Sequence, residues 1–213
     1  MKKSPKAVDW AVALKPLFRM YGKRRHPLEY RNTYQLMMMV VLSAQTTDIV
    51  VNKMAPAFFQ KYPTLKKLAS AAPADLYPDI KSVRGYMKKA DWLVRIAKAI
   101  GSDEKIPFTV EELTELPGIG RKSANVIIRE AGGEPQGIFV DLHVLRVVPR
   151  LGISAEEKPE KVEKKLLEIL PKNTWHAAGM SLSFLGRELC RPTDPKCGAC
   201  VMNPVCDYYR NNS

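Results

Sequence analysis

All four cysteines of this 213-residue chain lie in its last 24 positions. They run Cys190-x6-Cys197-x2-Cys200-x5-Cys206, and the 189 residues before them contain none. That clustering ties the fold to one place, because four thiols within 17 residues can surround a single metal centre. Zinc is one reading, although structural zinc sites more often pair two short C-x2-C hairpins. Here one C-x2-C pair stands between longer loops, and iron–sulfur clusters are held by four cysteines at uneven spacings of this kind. Disulfides are not expected. The N-terminal MKKSPKAVDW is basic but lacks the apolar stretch that directs export. The apolar run LMMMVVL is too short to span a bilayer. These features predict a cytoplasmic protein that is not secreted.

The remaining sequence reads as all-α. NTYQLMMMVVLSAQ predicts a buried helix capped by Asn32. TLKKLASAA predicts a short helix stopped by Pro73. YMKKADWLVRIAKAIG places Ala90, Leu93, Val94, Ala97 and Ile100 at helical spacing, with Gly101 as the stop. Thr109 and Glu112 form a capping-box pattern, and residues 121–131 make a helix ended by Gly132 and Gly133. Asp141 caps DLHVLRVV, the helix should end or bend at Pro149 just beyond it, and Pro159 opens PEKVEKKLLEIL. No alternating strand of useful length is present.

Charge narrows the partner. The net charge is +12, and residues 1–35 hold nine Lys or Arg against two acids, Asp9 and Glu29. Such an excess favours an acidic partner, most commonly nucleic acid, once a motif that touches phosphate stands beside it. TELPGIGRKSAN is such a motif. Gly118 and Gly120 allow a sharp hairpin between two helices, whose first-turn N–H groups form an anion site suited to a DNA phosphate. An ordinary helix–helix turn is the plainer reading. Lys122 then stands at a positive helix end beside Arg121, and both oppose its protonation. A neutral lysine is a nucleophile for aldehyde-like carbons, whereas a charged one pairs with phosphate. Asp141 is the second candidate, as an N-cap that can also serve a cleft.

At these residues the chain resembles the endonuclease III family of helix-hairpin-helix DNA glycosylases. LSAQTTDIVVNK, LPGIGRKSANV, VDLHVLRV and the cysteine tail occur in that family's order and spacing. The resemblance implies two helical lobes with a DNA-binding cleft between them. Residues 29–135 would form a six-helix barrel with the helix-hairpin-helix at about 112–131. Residues 1–28 with 136–213 would form a lobe holding a 4Fe–4S cluster on Cys190, Cys197, Cys200 and Cys206. It implies excision of damaged pyrimidines and an apurinic/apyrimidinic (AP) lyase step, with Lys122 as nucleophile and Asp141 as the catalytic carboxylate. Gln45 would fill the gap left by the flipped nucleotide. Arg84, Gly118, Gly120, Arg121, His143, Arg191 and Lys196 are further expected DNA contacts, with His143 more structural than catalytic. Damaged double-stranded DNA is the expected partner, and monomeric action the family expectation.

Two segments depart from the family pattern. Leu142 stands where the family usually has Thr, and VRGYMKKA where it usually reads close to Ile-Gly-Leu-Tyr. Gly85 offers no apolar wedge, leaving Arg84 or Tyr86 to replace it. Adenine glycosylases of the same scaffold carry a glutamate in the early helix, which QLMMMVVLSAQ lacks. A mismatch thymine or uracil glycosylase, or a non-catalytic helix-hairpin-helix module, are the alternatives.

Overall fold

A computed structural model describes residues 8–212. The basic residues Lys2, Lys3 and Lys6 of the N-terminal segment lie outside them. In chain order the helices are α1 (Trp10–Ala13), α2 (Lys15–Tyr21), α3 (Thr33–Leu42), α4 (Asp48–Lys61), α5 (Leu65–Ala69), α6 (Pro73–Ile80), α7 (Tyr86–Ile100), α8 (Val110–Glu115), α9 (Arg121–Glu130), α10 (Leu142–Leu151), α11 (Pro159–Ile169), α12 (Trp175–Glu188) and α13 (Asp207–Asn212). No strand occurs among the described residues, and no helix is long and apolar enough to cross a membrane. The chain divides into two compact units, Arg25–Gln136 and Met1–Arg24 with Gly137–Ser213.

The Arg25–Gln136 unit is built around α3. Asn32 caps it by accepting the Gln35 N–H at 2.9 Å, and eight of its ten residues are buried. A helix apolar on all sides belongs in the middle of a core. Each fully buried Leu or Met there contributes about 1.5–3 kcal/mol of transfer free energy. Helices α4, α7 and α9 pack against it, and α5 and α6 cover α7. The buried face of α7 carries Ala90, Leu93, Val94, Ile96, Ala97 and Ile100, together with one charged residue, Lys89.

The other unit is organised by α12, buried without interruption from Ala178 to Gly186. Two glycines let neighbours approach it. A Cβ on Gly179 would come within 2.9 Å of the Phe139 ring, and one on Gly186 within 2.7 Å of the His143 Cβ. Helix α10 therefore lies close along α12, and α2 packs on α12 as well.

The structure departs from the sequence expectation at Pro73 and decides one of the two alternatives at Pro149. Pro73 does not stop α5, which ends at Ala69; it opens α6 as its first residue, where a missing N–H costs nothing. Pro149 does not end α10, which runs two residues further before Gly152 turns at φ 91°. A proline so near a C-terminus removes one ladder bond, while the Val148 and Pro149 carbonyls are taken by the N–H groups of Ile153 and Gly152. The Thr109 cap accepts the Glu112 N–H at 3.2 Å, but the Glu112 carboxylate takes the Thr109 hydroxyl instead of its backbone N–H. Helix α9 ends at Glu130, one residue earlier than the pattern suggested.

Candidate functional site

The hairpin joins α8 to α9 through residues 116–120. Its two glycines have different jobs. Gly118 sits at φ 80°, and a Cβ there would fall 2.3 Å from Cε3 of Trp92, so the turn lies against the indole. Gly120 has ordinary extended backbone, and a Cβ on it would meet nothing within 4 Å. Ile119 between them is buried and donates its N–H to the Leu116 carbonyl at 3.2 Å. Fold demands explain Gly118 and leave Gly120 unexplained. As N-cap of α9, Gly120 supplies no side chain to cover the first turn, whose residues Arg121 and Lys122 are exposed. An uncapped helix start with two exposed cations is a place for an anion.

Gln45 and Arg84 lie in the same unit as the hairpin. Gln45 is exposed at φ 56°, a left-handed conformation that non-glycine residues adopt rarely and that persists only where the surroundings hold it. Arg84 is exposed beside Gly85, itself at φ 70°. The two loops are joined, because the Arg84 N–H donates to Thr46 Oγ1 at 3.1 Å. Tyr86 is half-buried edge-on against Tyr77, whereas Met87 is 57% exposed, so Met87 offers the apolar surface that Gly85 lacks.

In the other unit Asp141 is the N-cap of α10. Its Oδ1 accepts the N–H groups of His143 and Val144, both at 2.9 Å. Its Oδ2 accepts the Ser183 hydroxyl at 2.7 Å, and Arg187 Nη2 stands 4.0 Å from the same oxygen. Capping therefore uses one oxygen, and α12 holds the other. Ser183 and Arg187 were not singled out in the sequence; their one signal is an i, i+4 spacing on α12. Leu142, immediately after Asp141, is 78% exposed. His143 is partly buried, with its Nδ1 3.2 Å from Arg146 Nη2.

Arg146 also donates to the carbonyls of Gly186 at 2.8 Å and Cys190 at 3.0 Å. One turn further, Arg150 donates to the carbonyls of Arg191 at 2.6 Å and Pro192 at 3.1 Å, and its Nη1 lies 3.5 Å from Cys190 Sγ. Cys206 Sγ lies 3.3 Å from the Arg150 carbonyl. These two arginines, invisible as site residues in the sequence, bind the cysteine segment to α10. None of the four cysteines is in a disulfide, and all four line one small pocket. Leu151, Leu185 and Leu189 wall it, with Lys196 at its edge. Burial pushes the thiols of Cys197 and Cys200 up, and the neighbouring cysteines add to it, so the sulfurs feel one another. Among the described residues no three His, Cys, Asp or Glu side chains converge tightly enough to hold a single metal ion. Arg191 and Lys196 are exposed on the same segment.

An all-helical fold with a glycine hairpin, an exposed lysine behind it and a capping aspartate after the next loop defines a helix-hairpin-helix protein. The model of the HhH-GPD superfamily of base excision DNA repair proteins matches residues 38–172, and the chain belongs to this family. It is 38% identical to endonuclease III of Bacillus subtilis (strain 168), covering 88% of this chain and 86% of that protein. It is 34% identical to endonuclease III of Thermotoga maritima, covering 88% and 89%. Among solved structures, a trapped endonuclease III–DNA covalent intermediate is similar at 34% identity and TM-score 0.85, covering 94% of this chain and 95% of that one.

Proposed function

We propose that this protein is a bifunctional DNA glycosylase and AP lyase that removes damaged, oxidised pyrimidines in base excision repair. The observation that carries the reading is Lys122, exposed in the uncapped first turn of α9 directly behind the Gly118–Gly120 hairpin. It is supported by similarity to an endonuclease III that was trapped in a covalent intermediate with DNA.

The chemistry follows from the residues. The hairpin N–H groups and Arg121 take a DNA phosphate, which fixes register without reading sequence. The damaged nucleotide is rotated out of the duplex, and Gln45 fills the space it leaves. Lys122 Nζ attacks the sugar C1′ as the C1′–N bond to the base breaks, and the base leaves with that electron pair. Ring opening gives a Schiff base at C1′. Loss of a proton from C2′ then expels the 3′-phosphate, nicking the strand 3′ to the lesion. Asp141 stabilises positive charge on the sugar and serves as proton acceptor for Lys122. Arg84, Arg191 and Lys196 add backbone contacts, and His143 supports Asp141 from the same helix turn.

The four cysteines suit a 4Fe–4S cluster. All four line one leucine-walled pocket, and their uneven C-x6-C-x2-C-x5-C spacing matches four-cysteine cluster ligation better than the paired short hairpins of structural zinc. When bound, the cluster would supply four metal–sulfur bonds that fasten the C-terminal segment. We place the protein in the cytoplasm, acting as a monomer on double-stranded DNA.

Borohydride trapping tests the reading. Duplexes carrying an abasic site, an oxidised thymine, or uracil opposite guanine are incubated with protein and reduced. A covalent adduct that disappears in Lys122→Gln is expected, and the trapped duplex names the lesion. Base release without an adduct would make the protein a monofunctional glycosylase with Asp141 activating water. Salt-sensitive binding with neither release nor adduct would leave only a DNA-binding module.

A further inference from the structure

Lys89 is 4% exposed, on the core face of α7 near its first turn. A primary ammonium has three donors and no acceptor. Here its Nζ meets three oxygens: the carbonyls of Leu42 at 2.8 Å and Ala44 at 2.5 Å, and Thr46 Oγ1 at 3.4 Å. All three belong to the segment that leaves α3 and enters α4, the segment that presents Gln45. Leu42 is the last residue of α3, so its carbonyl is one of the acceptors a helix C-terminus leaves unpaired.

The arrangement is more than a satisfied core lysine. Burying an ammonium is costly, and burial alone depresses this one to about 8. A methionine, of which α3 has three in a row, would fill the same volume without that cost. What the ammonium adds is a fixed geometry for three oxygens spaced along residues 42–46. Gln45 stands among them at φ 56°, and such a backbone persists only where its surroundings hold it. The same Thr46 hydroxyl accepts the Arg84 N–H, so a single oxygen joins both exposed loops above Lys89.

We propose that Lys89 is a positioning residue for lesion recognition: it fixes the turn that presents Gln45 and, through Thr46, locks it to the Arg84–Gly85 loop so that both meet DNA as one surface. This rests on the glycosylase reading and adds to it a residue that itself touches no DNA.

A double-mutant cycle tests it. Binding of wild type, Gln45→Ala, Lys89→Met and the double variant is measured on a duplex with a tetrahydrofuran abasic analogue and on the undamaged duplex. Each single substitution is expected to weaken lesion binding about ten-fold, the size of a lost charge-assisted hydrogen bond, and to weaken undamaged binding clearly less. The double variant is expected to be no weaker than the singles, because Lys89 acts through Gln45. A hundred-fold, additive loss, or equal losses on both duplexes, would show a structural role and overturn the proposal. Should Lys89→Met fail to fold, Thr46→Val removes the shared hydroxyl and enters the same cycle with the same expectation. A wild-type protein with neither lesion preference nor a trapped adduct overturns the glycosylase reading itself. Lesion preference with an additive cycle overturns only the role of Lys89.

Discussion

Ser183 donates its hydroxyl to Asp141 Oδ2 at 2.7 Å, while the other carboxylate oxygen caps α10. The cap uses one oxygen of the side chain, and α12 holds the other. Asp141→Asn retains an oxygen for the cap, so its stability should stay within about 1 kcal/mol of wild type. Loss of the charge should slow single-turnover cleavage by about 100-fold or more. Asp141→Ala should show the same slowing plus about 1 kcal/mol of destabilisation from the missing cap. Urea unfolding and single-turnover kinetics on the same preparations separate the two effects.

The hairpin glycines should answer differently to alanine. Gly118→Ala places a methyl group against Trp92 in a left-handed turn, and should cost at least about 2 kcal/mol of stability. Gly120→Ala meets nothing and keeps its backbone, so unfolding should move by less than about 1 kcal/mol. Its methyl group intrudes where a phosphate would lie, and DNA affinity should fall. Thermal melts and binding titrations at one fixed salt concentration would show the contrast.

Lys89 gives the stability a signed pH dependence. Its pKa in the fold is lowered to about 8 by burial, below the unfolded value of 10.5. Between those values the unfolded chain binds more protons than the native one, so this group's contribution to stability rises with pH. It is fully present above 10.5 and lost as pH falls through 8. The stability of wild type relative to Lys89→Met should therefore increase across that window and be flat below it. Paired urea titrations between pH 7 and roughly pH 10 measure the difference.

The cysteine segment should depend on α10 as much as on its own sulfurs. Arg150→Leu removes hydrogen bonds to the carbonyls of Arg191 and Pro192. Iron and acid-labile sulfide per chain should fall, and the remaining cluster should be lost faster to a chelator. Cys197→Ala should lose the cluster outright, with a clear drop in melting temperature. A full complement of zinc and no iron would refute the cluster assignment.

Much of this was legible in the sequence because it depends on local rules. The caps at Asn32, Thr109 and Asp141, the glycine hairpin and the apolar spacing of α7 each declare themselves within a few residues. Pro73 opens α6 and does not stop α5, because a proline's effect depends on which helix end it occupies. Helices α4 and α6 each carry a proline inside, Pro56 and Pro78, which hides them from pattern reading. Lys89 lies in a Lys-Lys pair that looks solvated; only the fold shows that the second of the two faces Leu42 and Ala44. Arg146, Arg150 and Ser183 are likewise ordinary on their helices, and their partners are about 40 residues away.

Helix α10 begins at the Asp141 cap and, nine residues on, is bolted to the cysteine segment through Arg150. At 1.5 Å per residue those points are about 14 Å apart along a stiff rod. The rod is held at both ends, by Arg150 at the cysteine segment and by Ser183 at the cap, and over that length a tilt of about 4° shifts one end relative to the other by about 1 Å. Errors of that size at a reacting group cost on the order of 100-fold in rate. A change at the cysteine segment can thus reach the Asp141 carboxylate through the length of one helix.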